Sequence, residues 1–358
     1  MNTSRGPLAG IRVVELASIG PGPHAAMMLA DLGAEVVRVQ RPKDSTAFQA
    51  QLRGRTLTTA NLKDPADVAA VLELIGKADV LIEGYRPGVA ERLGLGPEVA
   101  LERNPRLVYG RMTGWGQDGP RAQRAGHDIN YIGLTGALNG IGRKGDKPVP
   151  PINLLGDYGG GSVFLVLGIM AALLERQSSG QGQVVDAAMV DGVLTLAHTM
   201  ISLNQLGMWS DERGTNVLDT GMAWYDTYTT ADGKHMAVGA FEPQFYAELL
   251  RVLELGPETL PGQNDRAGQE VLRKVFTERF AAKTQAEWSE LFDGVDACVT
   301  PVRTFSEALA DEHLTARAAL VDVGGMRQPA PALRFSRTPP SVPAPAPAAT
   351  TPIGDIWA

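Results

Sequence analysis

Along the first 115 residues, short β-branched runs alternate with stretches in which apolar residues recur every three or four positions. Strand period followed by helix period implies βαβ units, because successive parallel strands need a crossover helix between them. The pattern predicts strands at 11–16, 36–40, 57–61, 80–83 and 107–112, with helices at 24–32, 65–77 and 88–93. This portion reads as Rossmann-like. Residues 114–151 are rich in Gly, Pro and charge, and loops of that length in compact proteins usually bind something. A short extended segment and a glycine turn at 159–161 come next. The apolar run 163–174 then predicts a helix buried on nearly every face. A strand-like QVVDAAM and one helix over 191–206 follow.

After residue 222 the pattern changes. Asp232-Gly233 lies between two alternating runs, the strongest short hairpin signal. Helices at 244–253, 269–282 and 285–292 and a strand near 298–302 complete a smaller α+β domain over 223–312. It follows a large Rossmann-like domain over 1–222, so the fold class is α/β. Residues 313–358 carry closely spaced prolines, which favour extended polyproline II and exclude a helix; this segment is expected to return to the large domain.

A chain of 358 residues accommodates two such domains, and 44% apolar with 20% charged residues is a globular balance. Against 33 Lys plus Arg stand 40 Asp plus Glu, a net charge of −7, which excludes electrostatic nucleic-acid binding. An anionic ligand must therefore be held by a local basic cluster. The longest apolar run, 163–174, is shorter than the ~20 residues that cross a bilayer. The first residues lack the apolar core of a secretory signal, and a lone cysteine excludes an intrachain disulfide, so a reducing cytoplasm is expected. Cys298 itself, in DACVTP, is expected to be a small core residue.

After the first strand, Gly20-Pro21-Gly22-Pro23-His24-Ala25 satisfies the G-x-G-x-x-A dinucleotide pattern. Pro21 and Pro23 remove N–H groups that a pyrophosphate would need. The second strand also ends at Val39-Gln40-Arg41, with no acid for a ribose hydroxyl. A tight strand-to-helix turn is the simpler reading. Two polar sites carry candidate chemistry. In Gly126-His127-Asp128-Ile129-Asn130-Tyr131, Asp128 is placed to cap a helix, with His127 before it. In Asn153-Leu154-Leu155-Gly156-Asp157, the carboxylate enters low-dielectric surroundings at the start of the apolar helix. One imidazole and one carboxylate beside glycines are what an enzyme needs to move a proton on and off one carbon. His24, His198, His235 and His313 read as structural or surface groups, and no Cys/His spacing suggests a metal.

With VVELASIGPGPHAAM, DVLIEGYRPGVAERLGLGP, RMTGWGQDGP, GHDINY, GDYGGG, EPQFYA and DACVTP, the chain resembles the family III CoA-transferase superfamily, and within it the racemases of 2-methylacyl-CoA thioesters. That resemblance implies an intertwined homodimer and interconversion of the (2R) and (2S) configurations through an enolate. By the same resemblance His127 and Asp157 match the acid/base pair, and Glu242 a carboxylate reaching the histidine from the partner chain. The resemblance places CoA contacts on Arg41, on Ala60, Asn61, Leu62 and Lys63, on Gly84, Tyr85 and Arg86, on Arg92, and on Gly126, Asp128, Ile129, Asn130 and Tyr131. Related racemases can carry Asp where Asn61 stands. It calls for no metal or redox cofactor, since CoA arrives as part of the substrate. Met112, Met189, Met208 and Met222 are candidates for a yielding acyl surface. The alternative within the superfamily is a CoA-transferase with Asp157 as nucleophile.

Overall fold

The structure is a computed structural model that describes residues 6–42 and 49–358. It comprises two compact units, one holding the chain up to Thr135 with Pro151–His198 and Asp311–Ala358, the other Gly136–Pro150 and Thr199–Ala310.

In the first unit the β-branched runs become β1 (Arg12–Leu16), β2 (Glu35–Gln40), β3 (Arg55–Thr59), β4 (Val80–Glu83), β5 (Val108–Thr113) and β6 (Val184–Ala188). All pair in parallel, in the order β3-β2-β1-β4-β5-β6, with Val13 opposite both Val36 and Val80. The helices between them are α1 (Pro21–Asp31), α2 (Pro65–Gly76), α3 (Val89–Arg92), α4 (Pro97–Arg103), α5 (Asp128–Leu134), α6 (Val163–Ser179) and α7 (Met189–Leu196). Because side chains alternate across a strand, Val13, Val36 and Ile82 meet Leu29, Leu165 and Ile169 of α1 and α6 on one face. Val14, Val37 and Leu81 meet Val71 and Ile75 of α2 on the other. Burial on both sides is why these strands read as nearly continuous apolar runs. The strand order turns back between β1 and β4, which opens a crevice at the carboxyl ends.

Two wholly buried carboxylates lie within the sheet. Glu15 of β1 accepts from Arg55 of β3 at 2.8 Å and pairs with Arg38 of β2. Glu83 of β4 accepts from Arg111 of β5 at 2.9 Å.

Several expectations need correction. The glycine turn at 159–161 is not a turn: Leu154–Ser162 is wound as a π-helix running directly into α6, since glycines without Cβ let that wide helix pack tightly. α6 is buried along one face only; Leu165, Ile169 and Leu173 point inward while Val163, Leu167 and Leu174 face out. Together Leu154–Ser179 makes 26 residues, long and apolar enough to cross a membrane by composition. Yet it packs on the sheet, and its Arg176 pairs with Asp79 at 2.9 Å, as in a core helix. The helix expected over 191–206 is two, α7 and α8 (His198–Gln205), divided at Ala197.

In the second unit β7 (Tyr225–Thr229) and β8 (His235–Gly239) form the expected hairpin, the Gly233 N–H donating to the Thr230 carbonyl at 2.9 Å. β9 (Val299–Pro301) joins β8 antiparallel. α9 (Pro243–Val252), α10 (Gln269–Phe280) and α11 (Gln285–Phe292) cover this sheet around Trp224, Tyr228, Phe276, Phe280 and Trp288; a short α12 (Phe305–Ala308) follows. Cys298 is not a core residue. It is exposed at a positive φ of 53° one step before β9, with its carbonyl taking the Gly239 N–H.

From Asp311 the chain rejoins the first unit through α13 (Glu312–Ala316) and a hairpin of β10 (Leu320–Val323) and β11 (Met326–Pro329) that the pattern did not predict. Arg53 fastens this hairpin, donating to Pro329 and Gln328 while paired with Asp31 at 2.6 Å. The proline-rich tail then runs along β3: the Gly54 N–H donates to Ala344 at 2.8 Å, and the Thr351 N–H to Leu57 at 2.7 Å.

Removing Glu15 leaves two guanidiniums uncompensated in the sheet. Glu15→Ala is expected to lower stability by about 3–5 kcal/mol in urea denaturation, with Glu15→Gln less damaging because it keeps an acceptor. Equal stability of Glu15→Ala and the parent would contradict this role.

Candidate active site

A cavity of about 990 Å³ opens at the carboxyl ends of the parallel strands. Its wall is built from the segments that leave β1 (Ala17 to Pro21), β2 (Arg41), β4 (Gly84 to Arg86) and β5 (Gly114 and Trp115). Arg38, Arg41, Arg86 and Arg124 line it, and Asp157 is the one carboxylate among its described lining residues. The cavity is thus a basic hollow in an acidic protein, suited to a phosphate-bearing ligand.

Asp157 and His127 both line this cavity. His127 is exposed at the N-cap of α5, where its N–H donates to Asn130 Oδ1 at 3.0 Å. Asp128 was expected to be that cap; instead it is the first helical residue and turns inward. Asp157 is half-buried in the first turn of the π-helix. Asn153 Nδ2 donates to its Oδ2 at 3.2 Å. A Cβ on Gly20 would come within 3.4 Å of that same oxygen, and φ of +71° also suits glycine there. The strand-to-helix turn that matches the dinucleotide pattern in letters therefore seats its backbone against Asp157. Ile152, just before Asn153, holds φ of +59°, which a β-branched residue rarely adopts.

Burial pushes the Asp157 carboxyl above the usual range for aspartate; Asp128 adds to this, while the Asn153 hydrogen bond and the His127 charge oppose it. Tyr131 is pushed up as well, first by burial and then by Asp157, so its hydroxyl stays protonated. That hydroxyl donates to the Gly126 carbonyl at 2.5 Å, and the ring stands edge-on to Trp115.

Of the other expected ligand contacts, Arg41, Gly84, Tyr85, Arg86, Gly126 and Tyr131 line the cavity. Ala60 is buried in the core beyond β3, its N–H bonded to Gln40 next to Arg41. Asn61 and Lys63 belong to the turn that follows: the Asn61 N–H donates to Asp67, and its side chain accepts from the Lys63 N–H. Leu62 packs against the core there. Arg92 is exposed in the last turn of α3, and Ile129 and Asn130 are exposed on α5. Asp128 lies beneath the cavity wall, not on it. Glu242 belongs to the second unit, exposed at the N-cap of α9. Among the methionines, Met112 and Met189 line the cavity, Met222 lies in the core of the second unit, and Met208 lines a separate hollow there.

Sequence reading missed Arg38, Ser18, Gln51, Arg124 and Tyr158, all of which line the cavity. Arg38 had a visible signal, a charge within Val36-Val37-Arg38-Val39 that a buried strand tolerates only when paired. His24 is structural: its ring lies 4.4 Å from Tyr158, its Nδ1 is 2.7 Å from Ser162 Oγ, and burial keeps its pKa low.

Comparison with known proteins agrees with this architecture. The chain is 50% identical over 333 residues to an alpha-methylacyl-CoA racemase of Mus musculus, covering 93% of this chain and 87% of the relative. It is 46% identical to the alpha-methylacyl-CoA racemase of Homo sapiens over 314 residues, 88% and 82% of the two chains. A CAIB/BAIF family protein from Brucella suis superposes with a TM-score of 0.85 at 25% identity, over 96% of each chain. The profile of CoA-transferase family III matches residues 8–351, and the chain belongs to that family.

Proposed function

We propose that this chain is an alpha-methylacyl-CoA racemase in which His127 and Asp157 exchange the α-proton of a 2-methylacyl-CoA thioester from opposite faces. The observation that carries this reading is the presence of one imidazole and one carboxyl group on a single basic cavity at the sheet's carboxyl ends. The identity to racemases over most of the chain supports it.

The proton α to a thioester is weakly acidic, so a base must be placed beside it and the enolate oxygen stabilised. Whichever of the two groups is unprotonated removes the proton, and the other returns one. A carboxyl raised above its ordinary pKa suits this alternation better than it suits a nucleophile, which must stay ionised; this favours racemisation over a transferase reaction at Asp157. The Asp157 N–H is held by the Asp128 carboxylate and so does not serve the enolate oxygen. The Asp128 and Ile129 amides that open α5, which have no intrahelical acceptor, take that role instead, the Asn130 and Tyr131 amides being bonded to the His127 carbonyl. In an intertwined homodimer, Glu242 of the partner subunit would orient the imidazole and favour its protonated form. The arginines hold the CoA phosphates, and Met112 and Met189 yield to the acyl chain.

A 2-methylacyl-CoA of single configuration incubated in D2O should gain α-deuterium and racemise with no second acid present. Strict dependence on an acceptor acid would instead indicate CoA transfer. His127→Ala should lose on the order of 10²-fold in kcat while CoA affinity survives; unchanged turnover removes His127 from the mechanism. Arg86→Ala and Arg92→Ala should raise KM more than they lower kcat, and the opposite split would refute their assignment to CoA.

A further inference from the structure

Asp128 is 6% exposed, yet it is a charged residue adjoining His127. Its Oδ1 accepts the Asp157 N–H at 2.7 Å, across 29 residues of sequence. A Cβ on Gly156 would fall 2.5 Å from that same oxygen, so the carboxylate presses on two successive residues of the π-helix. Its Oδ2 is buried with no hydrogen-bond partner.

We propose that Asp128 is a positioning residue: one hydrogen bond from its carboxylate ties α5 to the π-helix and fixes the separation of His127 from Asp157. The inference rests on the racemase reading above. The chain of links is short. His127 is bonded covalently to Asp128, Asp128 Oδ1 holds the Asp157 amide, and that amide belongs to the second reacting residue. A slip at this bond moves both groups relative to the α-carbon, and displacement of about 1 Å can cost on the order of 10²-fold in rate.

The Asp128 carboxylate has a second effect. Asp157 is faced by His127, Asp128 and Tyr131 from α5 and by Asn153 and Tyr158 from its own segment, with the Gly20 backbone on the β1–α1 side and Arg86 near Tyr131. Within that set the Asp128 carboxylate favours the protonated form of Asp157.

The test compares Asp128→Ala, Asp128→Asn and Gly156→Ala in the full-length protein. Asp128→Ala should lower kcat for α-deuterium exchange on the order of 10²-fold with little change in KM. Asp128→Asn keeps an oxygen acceptor and should stay within about tenfold of the parent. In both variants the acidic limb of kcat/KM should move to lower pH, and its movement in Asp128→Asn, which keeps the side chain's volume, reports the lost charge apart from any loosening of the packing. Gly156→Ala, which displaces the carboxylate from the other side, should reproduce the kcat loss and covers the case in which Asp128→Ala fails to fold. Amide hydrogen exchange of the ligand-free protein supplies a readout independent of the reaction: the Asp157 amide should be protected in the parent and unprotected in Asp128→Ala. Parent-like kcat and protection in Asp128→Ala, or Asp128→Asn as impaired as Asp128→Ala, overturns the tether. An absence of α-exchange in the parent would instead overturn the racemase reading, leaving the tether to be judged by amide protection.

Discussion

The buried carboxylate of Glu15 is the constraint around which the first unit is organised. A charge on the central strand of a parallel sheet costs several kcal/mol to desolvate, and it is tolerated only because Arg38 and Arg55 reach it from β2 and β3. Three strands are thereby locked in register by charge as well as by backbone bonding. Arg38 is also a cavity wall, with its backbone-facing nitrogen donating to the Ser18 carbonyl at 3.3 Å. The same guanidinium that neutralises the interior thus shapes the mouth of the site. Glu83 and Arg111 repeat the device between β4 and β5, and Glu83 also accepts the Tyr85 N–H at 2.6 Å, fixing the loop that enters the cavity.

Much of this architecture was legible from local pattern. β1, β2, β4 and β5 fall where β-branched runs stand because each is sandwiched between helices and must be apolar on both faces. The Asp232-Gly233 turn was legible because its backbone conformation admits few other residues. Where reading failed, tertiary packing outweighed local propensity. Gly159-Gly160-Gly161 looks like a turn by composition, yet Gly160 and Gly161 are buried and helical because neighbouring elements crowd them. Cys298 looks like core filling, but its backbone lies in the left-handed region at an exposed bend.

For the site, the residue types were legible and their wiring was not. His127 and Asp157 stand beside glycines and polar neighbours that mark them in the sequence. Nothing in the sequence says that Asp128 reaches a backbone amide 29 residues away, because such a bond depends on how α5 and the π-helix pack. Ser162 and His24 meet for the same reason, over 138 residues.

The tail along β3 has a consequence for the behaviour of the folded chain in a crowd. β3 is an outer strand, and an outer strand offers unpaired donors and acceptors to any passing extended segment. Ala344 and Thr351 occupy two of those groups, and the prolines between them lack N–H and so offer no fresh row of donors on the outside. The chain's own C-terminal segment thus covers part of this border, and its alternating prolines thin the row of donors that a further strand would need.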